Sequence, residues 1–134
     1  MARIERDYSA VASVSRDNFS NGRIRSVQVS PRSALSVPFG WCDMQDDLQV
    51  DVGSLGHGGR WELGRTPADV SFIEDVVQAA LDGRVEEIAG PRRSRVEVTL
   101  SSGELAVETG YDGCLPVPGW VRRGRRVQYA PYRS

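Results

Sequence analysis

The sequence predicts an α+β fold: an antiparallel β-sheet of five to seven strands, with one main helix at about residues 67–82 packed on one face. Three observations predict it. One stretch has helical periodicity with capping signals at both ends, alternating apolar residues recur on either side of it, and glycine-containing turns separate the alternating stretches. The length of 134 residues and the 40% content of apolar residues fit one domain and exclude collagen-like, coiled-coil and wholly disordered chains.

The first 36 residues differ in composition from the rest of the chain. They contain eight serines and six arginines with few large apolar side chains, so we expect an irregular segment or an edge strand. Residues 23–29 alternate, with Ile24, Val27 and Val29 as the apolar members, and they are the candidate for that strand. Residues 37–134 are then expected to form a single α+β domain.

Two short strands are expected before the helix. Residues 48–52 and 60–63 alternate in hydropathy, and the seven residues between them contain four glycines. Such a loop favours positive-φ turns that join neighbouring antiparallel strands.

The helix is the best-defined element. Thr66 is a good N-cap, Pro67 suits the first helical position, and Gly83 is a typical C-terminal stop. At 100° per residue one stripe is apolar, and it contains Val70, Ile73, Val76, Val77, Ala80 and Leu81, widened by Phe72 and Ala79. The polar residues of this stretch fall on the opposite face, as in a helix that docks on a core.

A strand at residues 84–88 and a turn at 90–94 are expected to lead into a hairpin of residues 95–100 and 105–111. A turn centred on Ser102 and Gly103 would pair Leu100 with Leu105 and Val98 with Val107, which gives an apolar face. The same register sets Glu97 opposite Glu108. Like charges in that position are unfavourable, so we expect an arginine from the C-terminal segment between them.

A second hairpin is expected at residues 120–129, with its turn at Arg123 and Gly124. It would present the candidate partner-binding residues, which combine arginine with an aromatic side chain: Trp120, Arg122, Arg123, Arg125 and Arg126. Its positive charges either pair with acidic residues of the chain or meet an external acidic or phosphate surface.

Charge is segregated along the chain although the formal net charge is only −1. Residues 1–36 carry an excess of arginine, residues 37–112 carry most of the acids, and residues 113–134 carry five arginines and no acid. All 17 basic residues are arginine, which is typical of a GC-rich bacterial or phage genome and leaves no lysine for Schiff-base chemistry.

Candidate enzyme residues are few. His57 is the only histidine, and with Cys42 or Cys114 it would be needed for a thiol or histidine mechanism. Neither cysteine lies in a local nucleophile signature, and the glycines around His57 do not favour a fixed base. We expect no catalytic residue and two free thiols, with a disulfide between the cysteines as the alternative.

Two further patterns are weak candidates for ion binding. The glycine-rich loop at residues 53–59 lacks the lysine and following helix of a phosphate-binding loop. The acidic residues Asp43, Asp46, Asp47 and Asp51 lack the spacing of a calcium loop. We therefore expect no metal and no cofactor.

These observations together predict a non-enzymatic protein-binding module of the immunity, adaptor or assembly-subunit kind, from a GC-rich bacterium or its phage. The expected partner is another protein with an acidic surface, or a second copy of the chain. Nucleic-acid binding through residues 122–126 is the alternative, and a small thiol- or histidine-dependent enzyme is the third. No stretch approaches the roughly 18 apolar residues of a membrane span, and no signal peptide is evident, so we expect a cytoplasmic protein without membrane partners.

Overall fold

A computed structural model describes residues 6–19, 21–55, 58–111 and 115–133. Its mixed α+β architecture confirms the predicted class. The described residues form nine strands in two antiparallel sheets, whereas the sequence predicts one sheet of five to seven. The elements are β1 (Ala12–Phe19), β2 (Ile24–Pro31), β3 (Phe39–Asp43), β4 (Leu48–Val52), β5 (Arg60–Leu63), α1 (Pro67–Leu81), β6 (Val85–Gly90), β7 (Arg93–Thr99), β8 (Leu105–Tyr111), α2 (Trp120–Arg123) and β9 (Arg125–Gln128).

The two sheets share one core with α1. The first sheet has the strand order β1-β2-β3-β4-β5, and the second has the order β8-β7-β6-β9. Their inward side chains and the buried stripe of α1 belong to one hydrophobic cluster, which includes Val29, Phe39, Val50, Val76, Leu81, Val85, Val96 and Val98. Among the described residues, no helix is long and apolar enough to cross a membrane.

The predicted capping signals of α1 are confirmed. The Thr66 side chain accepts a hydrogen bond from the Asp69 backbone, and the Asp69 carboxylate accepts one from the Thr66 backbone. The helix ends at Leu81, Asp82 is its C-cap, and Gly83 follows at a φ of +76°. Val70 is 41% exposed and lies outside the core, because the apolar stripe is buried only in the second half of the helix.

The N-terminal segment is more regular than predicted. Strands β1 and β2 pair over eight positions, from Ala12 with Pro31 to Phe19 with Ile24. Strand β2 is not an edge strand, because it also pairs with β3. The loop between them contains Asn21 and Gly22, both at positive φ, a conformation that asparagine and glycine adopt more readily than other residues.

The β7–β8 hairpin has a different register from the predicted one. Val98 pairs with Ala106, and Thr99 pairs with Leu105. The prediction assumed a two-residue turn, whereas the Leu100 amide donates to the Glu104 carbonyl across a three-residue loop in which Gly103 has a φ of +89°. Glu97 consequently lies opposite Val107, and Glu108 lies opposite Val96.

The second predicted hairpin is also wrong. Trp120–Arg123 form the short helix α2, after Gly119 at a φ of +77°, and the Gly124 amide donates to the Trp120 carbonyl. Strand β9 then pairs with β6, far back in the chain, rather than with its own neighbours. Pairing with β6 satisfies backbone groups that would otherwise form an open sheet edge.

Residues 129–133, which we call the C-terminal strap, run from β9 across the core. The Ala130 amide donates to the Leu35 carbonyl over 2.7 Å, and the Tyr132 amide donates to the Leu81 carbonyl over 2.9 Å. The Tyr132 hydroxyl donates to the Val37 carbonyl over 2.5 Å. The strap therefore ties the β2–β3 connection to the end of α1.

The strap also contacts the start of the described chain. The Tyr132 ring packs edge-on against Tyr8 and Phe39, with ring centroids 6.3 and 5.8 Å apart. Arg133 lies 4.2 Å from the centre of the Tyr8 ring, and its guanidinium donates to the Asp7 carbonyl. Both ends of the described chain are thus fixed to the same side of the core.

Candidate protein-binding surface

The outward face of the second sheet is partly covered by α2. Trp120 lies over Gly90, where an added Cβ would come within 2.6 Å of the indole. Ile88 beneath this segment is fully buried, although it lies outside the main core cluster. Gly124 has no room for a side chain either, since a Cβ would lie 2.9 Å from an Ile88 methyl. Two glycines therefore let α2 approach the sheet closely.

Arg126 is the one predicted site arginine that pairs with carboxylates within the described part of the chain. Its guanidinium lies 2.5 Å from Glu86 and 3.9 Å from Glu97, and it also donates to the Val121 carbonyl. Arg95 adds a second contact to Glu97 at 3.1 Å. The expectation of a C-terminal arginine beside Glu97 is confirmed, but Glu108 lies on the opposite face of the sheet, because β7 and β8 have a different register.

The other predicted site residues lie on α2 and at the start of β9, and we call them the arginine surface: Trp120, Arg122, Arg123 and Arg125. Arg125 pairs with Ala89, so its side chain leaves β9 on the face opposite to that of Arg126. Trp120 is half-buried, and the three arginines are exposed. Arg123 donates to the Pro118 carbonyl. Within the described chain, the side chains of Arg122 and Arg125 have no hydrogen-bond or ion-pair partner.

A groove lies beside the arginine surface. It has a volume of about 530 Å³ and is lined by Arg93, Tyr111, Trp120 and residues 115–118. Leu115 is 79% exposed and Tyr111 is 59% exposed, so its walls are apolar and open to solvent. A second depression, lined by Arg122 and Arg123 among others, shares Pro118 with the groove.

Arg93 forms the floor of the groove, and sequence reasoning did not single it out. It is only 6% exposed. Its Nε donates to the Pro91 carbonyl over 2.8 Å and its Nη2 to the Leu115 carbonyl over 2.6 Å, while the guanidinium lies 5.1 Å from the centre of the Tyr111 ring. No carboxylate of the described residues pairs with it.

Cys42, on the outer face of the first sheet, is a free thiol. Its sulfur lies 3.2 Å from the Met44 sulfur. Burial, followed by the charges of Asp51 and Asp43, raises the pKa of the thiol above its ordinary value. A reactive cysteine needs the opposite shift. His57 and Cys114 lie outside the described residues.

The predicted acidic cluster is divided among arginine pairs. Asp43 contacts Arg25 at 3.6 Å and also contacts Arg65, while Asp51 lies 2.7 Å from Arg60. Asp46 and Asp47 have no such pair among the described residues. The part of the chain that the structure describes contains no group of three or more His, Cys, Asp or Glu arranged to hold a metal.

The start of the glycine-rich loop, at Ser54 and Leu55, is held by a buried carboxylate that sequence reasoning also missed. Glu87, on the inner face of β6, is fully buried. Its oxygens accept hydrogen bonds from the Ser54 and Leu55 amides, each over 3.0 Å, and from the Tyr129 hydroxyl over 2.7 Å. Since an internal anion occupies these amides, they are not available to cradle a phosphate.

Tyr129 completes this network. Its hydroxyl lies 2.7 Å from the Ser54 hydroxyl. Burial chiefly raises the pKa of Tyr129 to about 12, while the neighbouring Glu87 acts in the same direction and the Ser54 hydrogen bond opposes it. At neutral pH the phenol is therefore a hydrogen-bond donor that links the strap to the loop, not a base.

Comparison with protein-family models, curated proteins and solved structures gives no match to this chain. The functional argument accordingly depends on the geometry of the arginine surface and its groove.

Proposed function

We propose that this chain is a non-enzymatic protein-binding module that docks the arginine surface onto an acidic surface of another protein, in the cytoplasm of a bacterium. The observation that carries the proposal is the contrast among neighbouring arginines: Arg126 pairs with Glu86 and Glu97, whereas Arg122 and Arg125 have no partner in the described chain. Four positive charges within five positions of the chain repel each other, and an external acidic surface would relieve that repulsion.

The kind of residue exposed here supports a protein partner. Tryptophan and arginine are enriched among the side chains that dominate binding energy at protein interfaces. Trp120 is fixed over Gly90 and borders an apolar groove, so a rigid aromatic group lies beside the free charges. Complementary charges would then steer association and set the orientation of the partner.

Nucleic acid is the competing partner. Arginine and aromatic side chains also serve phosphate contact and base stacking. The chain as a whole has an isoelectric point of 5.8, and Glu86 and Glu97 lie on the same face of the sheet as α2. A domain that binds nucleic acid usually carries a net positive charge, whereas this chain has a formal net charge of −1, so we favour the protein partner.

The experiment compares three immobilised forms of the chain as baits in a bacterial lysate: wild type, Arg122→Glu with Arg125→Glu, and a control pair, Arg6→Glu with Arg23→Glu. The control makes the same change in net charge at exposed arginines outside the arginine surface. A protein captured by wild type is purified and titrated by calorimetry against all three forms. Heparin chromatography and a titration with a DNA duplex run in parallel.

We expect the surface pair to weaken binding of the purified partner tenfold or more, which corresponds to about 1.4 kcal/mol, and the control pair to leave it within twofold. Equal weakening by both pairs would show that only net charge matters. Retention on heparin to high salt, with DNA affinity lost in the surface pair, would replace the proposal with nucleic-acid binding. Sedimentation of wild type alone tests whether the partner is a second copy.

A further inference from the structure

We infer that the groove floored by Arg93 binds a short extended peptide segment that places a glutamate or aspartate side chain on the Arg93 guanidinium, between apolar neighbours. This inference rests on the proposed function and names the feature of the partner that is recognised. It depends on residues separate from the free arginines of that proposal, so the two are tested by different substitutions.

The floor of the groove carries a buried cation, Arg93. A buried cation is normally paired, because removing it from water costs free energy that a carbonyl only partly offsets. Arg93 has two carbonyl partners and an aromatic ring, but no carboxylate among the described residues. Its Nη1 has no hydrogen-bond partner in the described chain and is not completely shielded from solvent, so this nitrogen keeps donors without a partner.

Arg93 offers an anion only one guanidinium nitrogen that has no partner in the described chain. One free guanidinium nitrogen suits one carboxylate oxygen in a charge-assisted hydrogen bond. A phosphate group prefers several donors, and here the remaining Arg93 donors are directed to Pro91 and Leu115. Prolines 116 and 118 have no backbone N–H, so that wall offers few of the amides that capture a peptide C-terminus. A side-chain carboxylate is therefore the favoured anion.

Apolar side chains surround the place where the carboxylate would bind. Leu115, Tyr111 and Trp120 give the groove apolar walls, and the first two are more than half exposed in the unliganded chain. Apolar side chains on either side of the acid would bury this surface, which is a source of binding free energy that a bare acidic tract lacks. A volume of about 530 Å³ accommodates a few side chains rather than a folded domain.

The probe is a capped pentapeptide, acetyl-Ser-Leu-Glu-Val-Ser-amide, titrated into the isotopically labelled chain by NMR. The Trp120 indole and the Arg93 Nε–H signals report on the groove. The matched peptide contains glutamine in place of glutamate, and a third peptide carries only a free C-terminal carboxylate. We expect the glutamate peptide to bind at least tenfold more tightly than the other two.

The matched protein variants are Leu115→Glu and Leu105→Glu. Both leucines are exposed, but Leu105 lies at the opposite end of β8 from Tyr111, outside the groove. Leu115→Glu is expected to weaken the glutamate peptide at least tenfold, and Leu105→Glu to leave it within twofold. Arg93→Gln is expected to remove the preference for glutamate over glutamine, and thermal melts check that each variant is folded.

Equal binding of the glutamate and glutamine peptides, absence of binding at millimolar concentration, or equal weakening by both leucine variants would overturn the inference. Displacement of the peptide by an oligothymidylate would assign the groove to phosphate instead. If Arg122→Glu with Arg125→Glu abolishes capture of the protein partner while Leu115→Glu does not, the proposed function stands and the groove assignment fails.

Discussion

The C-terminal strap and the arginine surface are neighbours in sequence and both combine arginine with aromatic residues, yet they have opposite environments. In the strap, Tyr129 and Tyr132 are 5% and 6% exposed, and their hydroxyls donate to Glu87 and to the Val37 carbonyl. In the arginine surface, the charged groups of Arg122 and Arg125 face solvent without a partner in the described chain. The tyrosines of the strap thus stabilise the fold, whereas the guanidinium groups of Arg122 and Arg125 make no contact that stabilises it.

The largest effect is expected in the strap. Tyr132→Ala removes a buried ring that packs on Phe39 and Tyr8, and loss of a buried aromatic costs about 3–5 kcal/mol. Denaturant unfolding measures it. The control is Tyr111→Ala, in the groove, where the ring is 59% exposed and the expected cost is below about 1 kcal/mol. Similar decreases in the free energy of unfolding for the two variants would show that the strap does not stabilise the fold more than the groove does.

An intermediate effect is expected at alkaline pH. Folding raises the pKa of Tyr129 to about 12, and burial raises that of Tyr132 above its ordinary value as well. The folded state therefore keeps these protons when the unfolded chain has lost them. Their contribution is fully present below about pH 10 and disappears as pH rises toward 12. Tyr129 alone accounts for about 2 kcal/mol by about pH 11.5.

The chain is well suited to this measurement because it has no lysine to titrate in the same range. Urea unfolding at a series of pH values, in a Cys42→Ser background, follows the loss. The variant with Tyr129→Phe and Tyr132→Phe should have a flatter profile between pH 10 and 11.5, although its stability at pH 7 is lower. An unchanged slope would mean that other groups cause the alkaline loss.

The smallest effect is expected in the arginine surface. Arg122→Glu with Arg125→Glu should change the free energy of unfolding by less than about 0.5 kcal/mol, since neither side chain has a partner to lose in the described chain. Arg126→Glu should cost more, up to about 1 kcal/mol, because it places a third acid beside Glu86 and Glu97. Thermal melts at low salt resolve the order. Unfolding of the variant with Arg122→Glu and Arg125→Glu would show that these arginines are needed for the stability of the fold.

Local signals explain what the sequence predicted well. The limits of α1 follow from Thr66, Pro67 and Gly83, which act within one turn of the helix ends. Strands β4, β5 and β8 follow from short alternating runs. The β1–β2 hairpin could also have been predicted from the sequence, because the dipeptide Asn21-Gly22 is a typical turn signal.

The remaining errors and omissions depend on distant partners. The Arg-Gly sequence at 123–124 resembles a hairpin turn, but β9 pairs with β6, about forty residues earlier. In the sequence, Glu87 does not differ from any other acidic residue of a strand. Its amide partners, Ser54 and Leu55, come from the loop that follows β4 of the other sheet. Arg93 is buried by Leu115 and Tyr111, which come much later in the chain. The burial of a charged side chain leaves no pattern in the neighbouring sequence, because the residues that surround it come from distant parts of the chain.

The strap also bears on how this chain folds during synthesis. Tyr132 bonds to the Val37 carbonyl across 95 positions, and Arg133 bonds to the Asp7 carbonyl across 126. The first sheet therefore leaves a ribosome before the ring that packs on Phe39 has been made. Until then, part of the apolar surface of the nascent strands stays exposed to solvent, and such exposure favours aggregation and chaperone binding. Folding of this domain is accordingly expected to be completed only after residue 132 has emerged.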